Sequence, residues 1–347
     1  MPTATAAAHP NLAFVKYWGR RDAALNIPEN GSISVNLSGA TTTTTVTFDG
    51  AQGQDDVTLN DVAANTPTLT RVSAHLDRVR ALAGITTRAR VVSHNDFPAD
   101  VGFASSASAF AALSLAATRA AGLDLDLYDL SILARKGSGS ACRSIPDGFV
   151  EWLPGWDDAS SYARCLAPCN HWDLRVVTVV LPGRPKLISS LAGHRAAPTS
   201  PFYRARLKEM PHTLDLVRQA LLARDFASFG LAVEREAWSL HAVAMTSHSE
   251  GAPWLSGIFY MEPATVRLIR AVQLWRRDGL PVAFTLDAGP SVHLLCEGSS
   301  LGAVLAAVPS AVAGTAPQVI VSRPGRGAWL VNENDGAEAP SFSSTTL

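Results

Sequence analysis

Charge is scarce in this chain. Only 17% of its 347 residues are charged, and 29 basic against 30 acidic side chains leave a formal net charge of −1. Such a chain casts no long-range field toward nucleic acid or an anionic membrane. Any anion it binds is met locally, by a few placed cations and backbone donors. Cysteine is scarce as well: Cys142, Cys165, Cys169 and Cys296 form no CxxC pair, and none stands among histidines at zinc-finger spacing. Reduced structural thiols are the reading that follows. No apolar run approaches the roughly 20 residues of a membrane span. The opening Met-Pro-Thr-Ala-Thr-Ala-Ala-Ala-His lacks the basic and apolar regions of a secretory leader. A cytoplasmic protein is expected. There is no Gly-Lys-Ser/Thr, hence no Walker loop, and no internal repeat.

Hydrophobic residues nevertheless make up 47% of the chain, enough for a substantial core and for two domains. Leu12–Val15, Ile33–Leu37 and the β-branched run Thr41–Phe48 read as strands. Residues 67–84 carry helical spacing (Leu69, Val72, Leu76, Val79, Leu82) ended by Gly84. A short strand, Ala89–Val92, leads to a loop at Asn95-Asp96-Phe97-Pro98. Ser105 then opens a helix to Ala121 that is apolar nearly all round and so predicted to be buried. Another helix, at 127–136, is followed by a strand at Gly148–Leu153 and a Val-rich strand at Trp172–Leu181. Pro182-Gly183-Arg184-Pro185 marks the expected boundary, giving units 1–183 and 184–332 and a frayed tail 333–347. Beyond it come helices at 203–223, 225–241 and 263–278, and hairpin strands Val282–Leu286 and Val292–Cys296. A helix at 299–307 and a strand at 318–322 follow. Helices segregated against antiparallel strands predict an α+β fold.

Four segments could carry chemistry. Arg135-Lys136-Gly137-Ser138-Gly139-Ser140-Ala141-Cys142-Arg143-Ser144 sets glycines and hydroxyls among cations. Glycine lets successive N–H groups converge on an anion, Ser138 and Ser140 add donors, and Arg143 adds a planar fork suited to carboxylate or phosphate. A plain polar turn is the alternative. Pro98-Ala-Asp-Val-Gly102-Phe-Ala-Ser105-Ser106-Ala-Ser108 runs into a helix N-terminus, a ready phosphate site, although Ser105 also fits as a simple N-cap. Asp100 beside a triphosphate requires a magnesium ion between them. Lys16-Tyr17-Trp18-Gly19-Arg20-Arg21 ends an apolar strand, so Lys16 is read as half-buried and partnered, while Arg20 and Arg21 fit a solvated strand end. Asp287 closes another apolar strand and needs a partner there, unless it merely forms an Asx-turn.

Together these segments resemble the GHMP kinase superfamily and, within it, the mevalonate diphosphate decarboxylase family, over nearly the whole chain to about residue 325. The match lies in Lys16-Tyr-Trp-Gly-Arg-Arg-Asp, Pro98 to Ser108, Gly137-Ser-Gly-Ser-Ala-Cys-Arg-Ser with Gly148-Phe-Val-Glu-Trp, and Thr285-Leu-Asp-Ala-Gly-Pro. It implies a two-lobed GHMP kinase fold, with mixed and antiparallel sheets packed against helices, and an often dimeric enzyme. The implied activity uses ATP and Mg2+ to phosphorylate the 3-hydroxyl of a 5-phosphorylated mevalonate, then loses phosphate and CO2 to give an isopentenyl product. By that resemblance Asp287 accepts or orients the hydroxyl proton, Lys16 neutralises it, and Arg143 grips the carboxylate. Tyr17, Arg20, Ser138, Ser140 and Arg195 would contact substrate. Ser93, Asn95 and Pro98 would line the base, and Gly102, Ser105 and Ser106 the phosphates. The metal's ligands are not read from the sequence. Pro28-Glu29-Asn30-Gly31-Ser32 and the run from His9 look more like the phosphomevalonate branch, where Glu29 facing the 5-phosphate would disfavour a diphosphate. Arg20 and Arg195 could equally serve a second phosphate. Two other readings share the fold, a kinase that stops at the phosphorylated product and a non-catalytic ATP-dependent sensor. The first leaves Arg143 without a use, the second the pair Lys16 and Asp287.

Overall fold

A computed structural model describes residues 2–97, 105–182 and 186–331, with the backbone of 344–346. The fold is α+β, as the sequence predicts. Three principal sheets carry it. The first orders Trp329–Leu330, Thr3–Ala8, Thr42–Phe48, Ala89–Asn95, Asp56–Leu59 and Val62–Ala63. Its pairings are antiparallel except Asp56–Leu59 on Ala89–Asn95. The second orders Tyr162–Ala167, Phe149–Leu153, Ser32–Asn36 and Asn11–Val15. The third orders Ala283–Leu286, Val292–Glu297, Leu174–Val180, Gln318–Ser322 and Ser344–Thr346.

The expected helices form. Asn65 accepts from the Thr68 amide at the start of Thr66–Ala83, and Gly84 ends it in the left-handed region at φ 66°. Ser105–Ala120 is buried along most of its length and packs on the first sheet, where its alanines meet Ala6 and Ala8. That contact explains a strand the sequence reading missed. Thr3–Ala8 is alanine-rich and has little intrinsic strand preference, but small side chains let helix and sheet approach closely. Tyr162–Ala167 and the short helix Ser190–Ala196, capped by Ser189, were likewise not predicted.

A second apolar core joins the two halves of the chain. Leu12, Phe14, Ile33 and Val35 from the second sheet pack with Phe229, Val233, Val217 and Leu221 of the helices Tyr203–Ala223 and Phe226–Met245. Leu174–Val180 precedes the proline-rich segment taken as the boundary, yet it pairs with Val292–Glu297 and Gln318–Ser322. That strand, although ahead of the segment, thus belongs to the sheet of the later strands. Of the boundary segment, 183–185 lie outside the described residues, as does most of the tail. No helix among the described residues is long and apolar enough to cross a membrane.

One buried ion pair ties the halves near the end of the Asn11–Val15 strand. Arg206 donates to Glu236 at 2.6 Å and to the Lys16 carbonyl at 2.9 Å, with both side chains essentially inaccessible. Removing one partner of such a pair strands a buried charge. Glu236→Ala is therefore expected to lose about 3–5 kcal/mol of unfolding free energy in urea titrations. Replacing Arg206 and Glu236 together by Met and Leu should lose markedly less. Equal losses would show that the pair contributes nothing specific.

Candidate active site

A cavity of about 560 Å³ opens where the two halves meet. Lys16, Tyr17 and Arg20 enter it from the end of the first-half strand, and Ser138, Ser140 and Arg143 from the glycine–serine segment. Ser105 and Ser106 reach it from a helix N-terminus, while His194, Asp287 and His293 come from the second half. Among the described residues, six cations line it against one carboxylate, Asp287. In a chain of net charge −1, that concentration of positive charge is local and suits a polyanion.

Lys16 is buried, more deeply than the half-burial read from the sequence. Its Nζ lies 2.8 Å from Asp287 Oδ1 and also donates to the Ala13 carbonyl. Its own carbonyl is held by Asn30 at 3.0 Å and by Arg206. Asp287 thus has the partner its position demands. Burial alone would raise its carboxyl; Lys16, with His293 and Arg143, outweighs that and holds it below the usual carboxylate value. The neighbouring imidazoles stay neutral, because burial and then Lys16 push them down, His241 to about 4 and likewise His293 to about 4 with Asp287 opposing. Thr178 holds His293 Nδ1 at 2.9 Å.

Arg143 is buried without a carboxylate partner among the described residues. Its Nε and Nη2 donate to Asn11 Oδ1 at 3.1 and 2.9 Å, and Nη1 donates to Ser32 Oγ at 2.7 Å. A guanidinium has five N–H donors, so one remains on each terminal nitrogen. That is the pattern for an end-on bidentate grip. Burial lowers its pKa, while Cys142, Tyr17 and Asp287 act the other way. Cys142 itself is buried, its thiol pushed up to about 12 by desolvation, which fits a structural thiol.

The glycine–serine segment departs from the expected anion-cradling loop. Gly139–Ser144 is a 3₁₀ turn whose Ala141 amide is spent on the Ser138 carbonyl at 2.8 Å. Ser138 and Ser140 both line the cavity. Gly139 is needed for space, since a Cβ there would come within 2.6 Å of the Tyr17 hydroxyl. Ser138 Oγ lies 3.2 Å from Ser106 Oγ, which brings the two serine segments into contact.

Several expected residues lie elsewhere. Pro98 and Gly102 fall outside the described residues. Ser93 and Asn95 belong to the strand Ala89–Asn95, and their side chains bond Thr44 at 2.8 Å and Thr42 at 2.7 Å. Neither lines the cavity. Arg195 is exposed, and the cavity wall is formed instead by its neighbour His194. Glu29 is half-buried and also outside the lining; with burial, its charge raises the Tyr203 phenol. Conversely, the reading missed Arg71, which lines the cavity, donates to the Gly137 carbonyl at 3.1 Å and lies over Phe110. Nothing local in the helix Thr66–Ala83 distinguishes it from a solvated arginine. Lys136 and Lys186 complete the cationic lining.

Residues 8–163 match the family model described as diphosphomevalonate decarboxylase-like N-terminal domain, and residues 176–331 the one described as mevalonate 5-diphosphate decarboxylase C-terminal domain. The chain is 34% identical over 322 residues to the diphosphomevalonate decarboxylase of Candida albicans, covering 88% of this chain and 87% of that one. It is 36% identical over 293 residues to the phosphomevalonate decarboxylase of Haloferax volcanii, covering 84% and 87%. A solved structure, MDDEF in complex with MVAPP, AMPPCP and magnesium, superposes with a TM-score of 0.87 at 34% identity, covering 95% of this chain and 99% of that one.

The pair Lys16–Asp287 has a measurable pH signature. A carboxyl held below its unfolded value contributes stability that is complete above the unfolded pKa of roughly 3.9 and is lost as pH falls through the folded value. The difference in unfolding free energy between wild type and Asp287→Asn is expected to be flat above about pH 5 and to shrink below about pH 4. A difference that grows on acidification would reverse the assigned sign.

Proposed function

The chain belongs to the diphosphomevalonate decarboxylase family, and from that we propose that it couples ATP hydrolysis to decarboxylation of a 5-phosphorylated mevalonate, with the monophosphate preferred. The observation that carries the reading is the Lys16–Asp287 pair in one cavity with the two free donors of Arg143. The preference for the monophosphate draws on the likeness to the Haloferax enzyme and on the match of the Pro28–Ser32 segment to that branch, not on Glu29, which lies outside the cavity lining. A cytoplasmic enzyme is consistent with its free cysteines.

ATP is the phosphoryl donor. Ser105 and Ser106 offer hydroxyls at the start of the 16-residue helix, whose first amides have no partner within the helix, a fitting seat for phosphates. No group of three or more His, Cys, Asp or Glu among the described residues is arranged to cage a metal. Magnesium would therefore be carried mainly on phosphate oxygens and water, its usual habit, and would supply neutralisation of their charge.

Asp287 accepts a hydrogen bond from the 3-hydroxyl and takes its proton as the new P–O bond forms and the bond from the γ-phosphorus to ADP breaks, ADP leaving with the bridging oxygen. A carboxylate held low is a weak base, but phosphoryl transfer through a loose transition state asks for orientation more than for a strong base. Lys16 keeps Asp287 ionised and faces the transferred group with its charge. In the second stage the C3–O bond breaks and its electron pair leaves with phosphate. The electron pair of the C1–C2 bond becomes the C2=C3 double bond, and CO2 departs. Arg143 holds the carboxylate so that the breaking bonds align. Gripping a carboxylate tightly would stabilise the ground state against its conversion to neutral CO2. Sharing of the guanidinium with Asn11 and Ser32 moderates that grip.

Purified protein incubated with ATP and either mevalonate 5-phosphate or the 5-diphosphate is expected to release CO2 and ADP in equal amounts, faster with the monophosphate. ADP with a stable phosphorylated product and no CO2 would identify a kinase instead. Asp287→Asn should lose at least about 100-fold in turnover while still binding ATP. Arg143→Lys, unable to make two parallel bonds, should lose more in turnover than in ATP affinity. Loss of ATP binding would move Arg143 to the nucleotide site.

A further inference from the structure

His194 is buried, lines the cavity, and is held on three sides. Tyr17 stacks on it at 4.3 Å between ring centroids with a 27° tilt, and Trp18 lies 4.5 Å away. The Gly19 amide donates to its Nδ1 at 3.0 Å. An N–H pointing into Nδ1 leaves no room for a proton there, so the ring carries its hydrogen on Nε2. The backbone builds this in. Gly19 sits at φ 98°, and a Cβ there would fall 1.8 Å from the Tyr203 hydroxyl, so only glycine offers its amide to the ring in this way. No protein group among the described residues accepts from Nε2.

We propose that His194 is a substrate-binding residue: with its tautomer locked by Gly19, it donates Nε2–H, uncharged, to an oxygen of the substrate's 5-phosphate beside Arg20. The inference rests on the proposed function for the identity of the ligand. The charged groups acting on the ring are Arg20 and Arg143; burial and these two arginines push it down to about 3, so it adds a donor without adding a charge. The helix bearing it contributes Ser190 and Leu191 to the same wall, again without charge. A phosphate with fewer negative charges loses least by meeting a neutral donor in place of a cation, so His194 favours the monophosphate.

Two measurements test this. In 15N-histidine NMR of the wild-type protein, with the signal assigned by its absence in His194→Phe, the ring should show the Nε2–H tautomer unchanged from pH 8 to pH 5. Its Nε2 resonance should shift when mevalonate 5-phosphate is added without ATP. A ring that titrates near pH 6.5, or an Nε2 signal unmoved by saturating mevalonate 5-phosphate, overturns the proposal. In kinetics, His194→Phe keeps an aromatic ring against Tyr17 and Trp18 but has no donor. Its KM for mevalonate 5-phosphate should rise about ten- to a hundredfold, the scale of a hydrogen bond to a charged group, with KM for ATP unchanged. His194→Gln, which restores an N–H near the same point, should recover much of that loss. An unchanged KM in His194→Phe, or an equal rise in KM for ATP, would remove His194 from the substrate site. Wild-type protein that turns over neither mevalonate phosphate would overturn the proposed function instead, and leaves the tautomer measurement standing on its own.

Discussion

Burial of the Lys16 ammonium is the constraint on which the site depends. Taking a lysine out of water is costly unless a partner and hydrogen bonds replace the lost hydration. Here the partner, Asp287, comes from the opposite half of the chain, 271 positions along the sequence, and a backbone carbonyl completes the shell. The pair can form only if the end of the Asn11–Val15 strand and the end of the Ala283–Leu286 strand are brought together. Asn30 and Arg206 secure the first of these by holding the Lys16 carbonyl. Arg206 is itself buried and must be neutralised by Glu236. One desolvated cation thus calls up a second, and the two fix the geometry between the halves.

The cavity repeats that logic on a larger scale. Six cations with a single carboxylate repel one another, a tension that anionic ligands relieve. Where the lining is not charged it is kept firmly neutral: His194 and His293 are both pushed well below the ordinary histidine value by burial. Positive charge is therefore placed at points and not spread. A protein with so little net charge gains its attraction for phosphate only at the place of binding.

Much of this was legible in the chain. Periodicity located the long helices because their apolar faces are wide and their ends carry ordinary signals, such as Gly84 and Asp225. Lys16, Arg143 and Asp287 could be singled out because each is a charge set at the end of, or within, an apolar or glycine-rich run. What escaped depended on distant packing. Thr3–Ala8 is a strand only because an alanine-rich helix covers it. Arg71 points to the cavity only because its helix packs beside Gly137. The exchange of Arg195 for His194 shows the sharpness of the limit: successive residues on a helix point about 100° apart, so an error of one position turns the inside out. No local pattern in a seven-residue helix after a proline-rich segment sets that phase.

The core shared between the halves has a consequence for how the chain can come apart. Leu12, Phe14, Ile33 and Val35 find their cover on helices from beyond residue 203. Two family models describe the chain, yet neither matched stretch carries a complete interior. An isolated first half would present a sticky apolar sheet face to solvent and to its own copies. Disruption of either half, accordingly, uncovers apolar surface on the other, which couples their melting and leaves a newly made first half exposed to aggregation until the second is in place.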